Sequence, residues 1–455
     1  MINFLTFAKY YRDIVSIKSS SAFFSFLLAS LIASCGAEVK SSRPNIVLIM
    51  ADDLGYGGIG CYGNKTINTP NLDYLSNNGI KFTDFHSNGS VCTPTRAALL
   101  TGNYQQRSGM EGVIYVRGET RKLGLDPSLR TIADFLKDDG YVTGIIGKWH
   151  LGYGEEFNPT NFGFDEFYGY LSGNVDYHSH FDGSGKHDWW HNLDSLEEEG
   201  YTTDLISKHS VDFIEKNKNK PFFLYIPHEA PHVPFQGRDD KAYRFSNNEF
   251  TYHGPVEDTD RAYREMVEAM DDGIGMIIKK LKELNLEDNT LVFFLSDNGA
   301  EEFGHNGGLN GNKISLLEGG HRVPAIAYWK NKITPKLSKE LLMSMDLLPT
   351  ILSITETETD EIFKSDGIDF SETLFSETHL EERPVFWRYR NQKAARYKQW
   401  KLLITENDTA LYNLNEDITE SNNLYHDDNP HAIYLTKQLE NWENDVGHAD
   451  KMLTN

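Results

Sequence analysis

Unbroken apolar runs dominate the first two thirds of the chain. Asn45-Ile46-Val47-Leu48-Ile49-Met50 has no polar residue after its first, the pattern of a strand buried on both faces of a parallel sheet. Residues 142–146, 221–226, 290–295 and 324–329 read the same way. Helical stretches fall between them, at residues 71–78, 129–138, 203–217 and 260–284, with a further helix expected near 337–354. The segment 260–284 has the clearest stripe: Met266, Met270, Ile274, Ile277 and Leu281 recur at helical spacing. Its methionines read as core packing rather than as ligands. Strands alternating with helices predict an α/β domain built on a large, mostly parallel sheet flanked by helices.

The pattern changes after a polar, acidic stretch at 355–361. Short strand-like segments at 385–389, 394–397, 401–404 and 411–414 are followed by a helix at 431–441, which predicts a smaller C-terminal α+β subdomain with an antiparallel sheet. The divisions expected are 44–355 for the main domain, 356–369 for an acidic linker and 370–455 for the subdomain. No internal repeat is visible.

Four of the apolar runs end in polar or charged residues: Asp52-Asp53, Gly147-Lys148-Trp149-His150, His228 through His232, and Ser296-Asp297-Asn298-Gly299. Open α/β sheets bind ligands beyond the carboxyl ends of their strands, so these residues should meet around one crevice. Asp52, Asp53, Asp297 and Asn298 are oxygen donors, the set preferred by calcium or magnesium. Taken singly, an Asp-Asp pair is a common helix cap and Asp-Asn-Gly a common turn. Arg96, Lys148, Lys313, His150 and His232 can hold a multiply oxygenated anion and move protons from its leaving group, which points to sulfuryl or phosphoryl transfer.

Cys92-Thr93-Pro94-Thr95-Arg96 precedes an apolar run that can start a helix. A cysteine at a helix start faces free N–H groups and is expected to be reactive and partly exposed. The 455 residues carry a net charge of −23, which argues against nucleic acid as the main partner but leaves room for an anionic substrate in a local cationic pocket. At the N-terminus, Lys9, Arg12 and Lys18 precede an apolar stretch at 22–31, too short to span a bilayer. It ends in Ile32-Ala33-Ser34-Cys35-Gly36, which resembles a bacterial lipobox. Residues 1–34 then form a lipoprotein signal, Cys35 is lipidated and 35–43 is a tether. An ordinary secretory signal is the alternative. Of three cysteines, Cys61 and Cys92 are left, and a disulfide between them is the alternative to a chemical role for Cys92.

The motifs together resemble the formylglycine-dependent (type I, arylsulfatase-like) sulfatases of the alkaline-phosphatase superfamily. Cys92-Thr93-Pro94-Thr95-Arg96 with Leu100-Thr101-Gly102 matches that family's Cys-x-Pro-x-Arg motif, and Gly147-Lys148-Trp149-His150-Leu151-Gly152 matches its second. Residues 44–53 and 296–299 match the metal segments. Lys313 with Glu318-Gly319-Gly320 matches the segment carrying a sulfate-binding lysine. The resemblance covers nearly everything after the signal and departs at no catalytic position. It implies that a sulfatase-maturating enzyme oxidises Cys92 to formylglycine (3-oxoalanine). Calcium would be held by Asp52, Asp53, Asp297, Asn298 and the modified Cys92. Lys148 and Lys313 would neutralise the sulfate oxygens, and Arg96 would position the hydrated aldehyde. Asp297 would help activate the attacking hydroxyl, His232 would protonate the leaving alcohol, and His150 would help expel the sulfate.

Substrate identity lies outside these motifs. The His- and Trp-rich stretch 176–191, with His178, His180 and Trp189, reads either as a wall of a sugar subsite or as a packed surface loop. Arg388, Arg390 and Arg396 lie in a stretch without acids, which suits a polyanion or a solvated sheet face equally. The expectation is a lipid-anchored sulfatase of the bacterial cell envelope acting on a sulfated polysaccharide; among the algal and animal glycans that similar sulfatases desulfate (ulvan, carrageenan, fucoidan, glycosaminoglycans), an algal glycan such as ulvan is favoured. The alternatives are a phosphodiesterase or phosphonate monoester hydrolase on the same scaffold, and a non-catalytic glycan-binding surface lipoprotein.

Overall fold

A computed structural model describes residues 43–246, 252–254, 256–359 and 363–447. The expected signal peptide and the lipidated Cys35 lie outside the described residues. In chain order the strands of the main part are β1 (Asn45–Ala51), β2 (Ile80–Phe82), β3 (Phe85–His86), β4 (Val142–Lys148), β5 (Glu166–Tyr170), β6 (Trp190–His191), β7 (Asp194–Ser195), β8 (Phe222–Pro227), β9 (Thr290–Ser296), β10 (Ala325–Tyr328), β11 (Lys336–Ser338) and β12 (Leu342–Met343). Ten of them form one sheet in the order β11-β2-β10-β9-β1-β8-β4-β5-β6-β7. The middle run from β9 to β5 is parallel, and β10, β6 and β7 join antiparallel. The mostly parallel sheet expected from the apolar runs is therefore present.

Central strand β1 shows why those runs carry no polar break. Ile46, Leu48 and Met50 pack into a core on one face, while Val47, Ile49 and Ala51 pack into a second core on the other. The helices around the sheet are α1 (Pro70–Asn77), α2 (Cys92–Thr101), α3 (Ile132–Asp138), α4 (Thr202–Asn217), α5 (Thr259–Glu283), α6 (Glu318–His321) and α7 (Leu347–Thr355). Met266, Met270, Ile274, Ile277 and Leu281 of α5 are buried against the second face. The helix expected over 337–354 is corrected. Lys336–Ser338 pairs with β2 and Leu342–Met343 with β3, Ser344–Asp346 makes a single 3₁₀ turn, and the α-helix runs only from Leu347 onward. Short apolar runs carry no period that separates strand from helix, and open positions at the sheet edge decide the matter here.

Beyond α8 (Ser371–Phe375), strands β13 (Val385–Tyr389), β14 (Gln392–Tyr397), β15 (Trp400–Ile404) and β16 (Thr409–Asn413) form an antiparallel sheet covered by α9 (Pro430–Val446). This sheet belongs to the same compact unit as the large one. Its apolar face packs with Val91 and Ala98 from the α2 region and with Met343 and Met345. Residues 365–367 are strapped to the end of α2: Ser365 Oγ and Gly367 N–H donate to Gly102 O, and Asp366 N–H donates to Asn103 Oδ1.

A buried ionic network joins the two sheets. Arg396 pairs with Asp84 at 2.6 Å, and Lys401 with both Glu318 and Glu420 at 2.9 Å. Arg322 adds a third cation against Glu318 at 3.1 Å. His86 and His321 lie within this network, facing Arg396 and Lys401. With cations already on those ring nitrogens, the His86–Glu318–His321 cluster is a charge latch rather than a metal site. Trp387 seals it: its ring lies 4.2 Å from that of His321, and its indole N–H donates to Ser87 O at 2.9 Å.

Trp387 is fully buried, so Trp387→Ala should cost about 3–5 kcal/mol of stability, read from urea denaturation. A loss below about 1 kcal/mol, the level of a surface change, would show that the two sheets do not depend on this joint.

Candidate active site

The loops leaving β1, β8 and β9 are hydrogen-bonded to one another, and the loop leaving β4 is bonded to the end of β5 through Trp149 N–H to Tyr170 O and His150 N–H to Leu171 O. Asp297 N–H donates to Ala51 O, Asp52 N–H to Ala230 O, and His228 N–H to Met50 O. Parallel neighbours in register thus deliver Asp52, Asp53, Lys148, His150, His232, Asp297 and Asn298 to one end of the sheet. Asp53 and His150 hold left-handed backbone, φ 62 and 58, an uncommon state for such residues that clusters at functional sites.

Helix α2 enters this crevice end-on, and all ten of its residues are buried. Cys92 opens its first turn and Arg96 lies one turn on. Arg96 Nη2 contacts Asp297 Oδ2 at 2.8 Å and Asp52 Oδ2 at 3.5 Å, and its Nη1 donates to Lys148 O at 3.3 Å. Lys148 Nζ lies 2.5 Å from Asp52 Oδ2, and Lys313 Nζ lies 2.7 Å from Asp53 Oδ2. Asn298 Nδ2 donates to Asp53 Oδ1 at 2.7 Å. All of these groups except Lys313, which is nearly so, are fully buried.

The thiol of Cys92 departs from expectation. It is 2% exposed and donates to Asp52 Oδ1 at 3.7 Å. Burial raises its pKa well above that of a free cysteine, outweighing Lys148 and Lys313, with Asp52 and Asp297 adding to the rise. The positive helix end cannot activate a thiol so completely desolvated. Both Cys61 and Cys92 are free thiols, which removes the disulfide alternative.

The carboxylates divide. Burial pushes the Asp53 pKa up, but Lys313 and His232 outweigh it and hold the group at about 2. Burial and the charge of Asp52 push Asp297 up, against the pull of Arg96 and Lys148. Asn298 Oδ1 is buried with no hydrogen-bond donor among the described residues, so an acceptor oxygen stands unsatisfied beside crowded carboxylates. Donor atoms of Asp52, Asp53, Cys92 and His232 lie within 4.8 Å of one another. Oxygen-rich, crowded and under-satisfied, this set fits a hard divalent cation. Three cations face three carboxylates, so a divalent ion would leave the pocket net positive and ready for an anionic ester.

The two histidines are set up differently. His150 Nε2 bonds Ile114 O at 2.9 Å, so that nitrogen carries the proton. Nδ1 is then a buried lone pair without a partner among the described residues. Burial and then Lys148 lower the His150 pKa far below normal, keeping it neutral. A Cβ on Gly173 would come within 2.8 Å of the His150 ring, so the ring's seat requires glycine there. His232 Nδ1 bonds Val233 O at 2.7 Å, and its Nε2 faces Lys313 Nζ at 3.3 Å. Burial and Lys313 lower its pKa to about 3, so the pair's proton resides on Lys313.

Cys92, His150, His232 and Lys313 open into a cavity of about 450 Å³, the size of a small-ligand site. Of the residues proposed from sequence for substrate contact, Arg390 lines it, and the other four do not. His178 is held to Gly237 O, and Trp189 is buried with its indole N–H on Glu198. His180 stacks on Trp189 at 4.8 Å. Arg388 is clamped between Glu111 and Glu443. Their aromatic and charged character is used up in packing and ion pairs. The cavity also contains Asn174, Arg244, Tyr252 and Glu301, which the sequence reading missed. Glu301 lies just past the Asp297-Asn298 motif and could have been flagged; Arg244 sits in a segment without periodicity.

The sulfatase family profile matches residues 44–357. The chain belongs to the sulfatase family. Human N-acetylgalactosamine-6-sulfatase is 32% identical over 378 residues, covering 77% of this sulfatase and 69% of the relative. Human arylsulfatase A is 34% identical over 393 residues, covering 79% and 73%. The crystal structure of Ps i-CgsB in complex with k-i-k-neocarrahexaose superposes with a TM-score of 0.81 at 30% identity, covering 91% of this chain and 95% of that one. The sulfatase is a sulfuric ester hydrolase on an alkaline-phosphatase-like fold.

Two predictions follow from the geometry. Calcium should raise the thermal midpoint of EDTA-treated protein by mass action on the folded state, and Asp297→Asn should weaken calcium binding at least tenfold by calorimetry. Identical midpoints with and without calcium would refute the cation site. Burial first, then His187, lowers the His180 pKa to about 4, below the ordinary unfolded value near 6.5. The unfolded chain therefore takes up the proton first, and stability is lost as pH falls from about 6.5 toward 4. Between pH 7 and pH 5, His180→Asn should lose less stability than wild type, by on the order of 1–2 kcal/mol, measured from urea midpoints at both pH values.

Proposed function

We infer that this sulfatase removes sulfate esters from an algal sulfated glycan, using a formylglycine made from Cys92, as an exported and lipid-anchored envelope protein. The observation that carries the reading is the position of Cys92, at the mouth of α2 between the oxygen-donor cluster and the Lys313–His232 pair. Calcium bound there would supply Lewis acidity, and the hydrated aldehyde would supply one hydroxyl to attack sulfur and another to expel sulfate.

The side chains present perform the remaining work. Lys148 and Lys313 hold the ester oxygens through charge-assisted hydrogen bonds in a water-poor site. Arg96, fixed by Asp297, Asp52 and Lys148 O, keeps residue 92 oriented. Asp297, whose carboxyl has a raised pKa, is suited to take a proton from the attacking hydroxyl. The Lys313–His232 pair shares one proton and delivers it to the leaving alcohol. His150, neutral with Nδ1 unpartnered, accepts the proton of the second hydroxyl as sulfate leaves. An unmodified serine or cysteine has no such second group.

The bound k-i-k-neocarrahexaose of the structural relative supports a carrageenan-type oligosaccharide within the algal class, and ulvan belongs in the same test. The lipobox-like segment before Cys35 supports the anchor.

Co-expressed with a maturase, the protein should show the Cys92 peptide as formylglycine by mass spectrometry and should hydrolyse 4-nitrophenyl sulfate in clear preference to bis(4-nitrophenyl) phosphate. The reverse preference would establish a phosphodiesterase, and an unmodified thiol would favour a non-catalytic glycan binder. Cys92→Ser should release no more than about one equivalent of alcohol per enzyme. Sustained turnover by that variant at the wild-type rate would sink the two-hydroxyl mechanism.

A further inference from the structure

Lys313 stands on a turn that its own sequence does not favour. Asn312-Lys313-Ile314-Ser315 is closed by Ser315 N–H, which donates to Asn312 O at 2.9 Å. Ile314 holds the third position of this turn with φ 82, where a left-handed backbone calls for glycine or asparagine. A β-branched residue is a poor fit to that region, and such a conformation persists only where its surroundings hold it. The Ile314 side chain is 40% exposed and lines the cavity, so its burial does little to offset the strain.

The restraint comes from other parts of the chain. Ile314 N–H donates to Ser90 O at 2.8 Å, and Lys313 N–H donates to Ala300 O at 3.0 Å. The far side of the turn is held by one side chain, that of Gln392, the first residue of β14, whose partner in the C-terminal sheet is Tyr389. Its Nε2 donates to Ile314 O at 3.2 Å, and its Oε1 accepts from Leu316 N–H at 3.1 Å. The carboxamide therefore bridges the two backbone groups on either side of Ser315, as donor to one and acceptor from the other. A carboxylate or a hydrocarbon at this position could not fill both roles.

The reach of Lys313 hangs on this turn. Its Nζ lies 2.7 Å from Asp53 Oδ2, 3.3 Å from His232 Nε2 and 3.6 Å from Glu301 Oε1. A lysine stem is flexible, so these contacts depend on where the turn places its root. Relaxation of Ile314 to a negative φ would reorient the peptide beside Lys313 and move that root. A misplacement of about 1 Å at a reacting group is enough to slow an enzyme strongly.

We propose that Gln392 is a positioning residue: its carboxamide clamps the strained Lys313-Ile314 turn and so keeps Lys313 against Asp53 and His232. The C-terminal sheet then takes part in the chemistry through a backbone it holds rather than through a group that touches substrate. This rests on the roles given to Lys313 and His232 in the sulfatase reading above.

The test is a double-mutant cycle on matured full-length enzyme: wild type, Gln392→Ala, Ile314→Gly and the double variant. Glycine adopts a left-handed φ freely, so Ile314→Gly removes the strain that the clamp resists. Rates are expressed per formylglycine found by mass spectrometry, which separates turnover from conversion of Cys92. The substrates are phenyl sulfate, whose leaving group needs a proton, and 4-nitrophenyl sulfate, whose leaving group needs it less. With Ile314 present, Gln392→Ala should lower kcat on phenyl sulfate by on the order of tenfold, more than on 4-nitrophenyl sulfate, with a smaller change in KM. With glycine at 314, the same change should cost less than about threefold, the non-additivity expected of coupled residues. A wild-type kcat in Gln392→Ala, an equal loss on the two esters, or a loss of the same size in both backgrounds would overturn the clamp and leave the sulfatase reading intact. Failure of matured wild type to cleave either ester would overturn the reading on which the clamp rests.

Discussion

The structure depends on burying charge at one end of a parallel sheet. Asp52, Asp53 and Asp297 are removed from water together, and so are Lys148 and Arg96, with Lys313 at the edge. Isolated charges in that position would be prohibitively costly. Each is tolerated because an opposite charge stands within hydrogen-bonding distance, and because the strand ends that carry them are locked to one another through backbone bonds. The balance is close but incomplete. Asp297 is pushed toward neutrality and Asn298 Oδ1 goes unsatisfied among the described residues, so the fold arrives at its site with acceptor oxygens that its own donors do not complete. A cation and an anionic ester together would complete what the chain leaves open.

The same device recurs where the second sheet docks. Asp84, Glu318 and Glu420 meet Arg396, Lys401 and Arg322 under the ring of Trp387. There each carboxylate has a cation within 2.9 Å, and the cavity of about 370 Å³ beside the network touches only its Asp84–Arg396 edge, so the network holds parts together. The contrast lies in how the charges are paired rather than in residue type.

This explains what the sequence could reveal. Apolar runs without polar breaks located the central strands, and the motifs at their ends located the charged site, because register in a parallel sheet places equivalent ends side by side. Arg244 was invisible, since irregular segments carry no period to read. His180, Trp189 and Arg388 could not be decided from sequence because aromatic and basic side chains look alike there whether they face a ligand or pack inward. The thiol was misread for a different reason. A helix start favours a reactive cysteine only when water reaches it, and the burial of all of α2 follows from packing between two sheets, which no local pattern records.

That burial also has a consequence in time. A thiol on a wholly interior helix, reached only through a cavity of about 450 Å³, offers little approach to a second macromolecule once the chain has collapsed. On the proposed conversion, an enzyme that rewrites Cys92 would have to engage the segment while it is still extended. Rapid, premature folding would then yield a stable but permanently unconverted protein, so the yield of active enzyme would be decided by a race between two rates and not by stability alone.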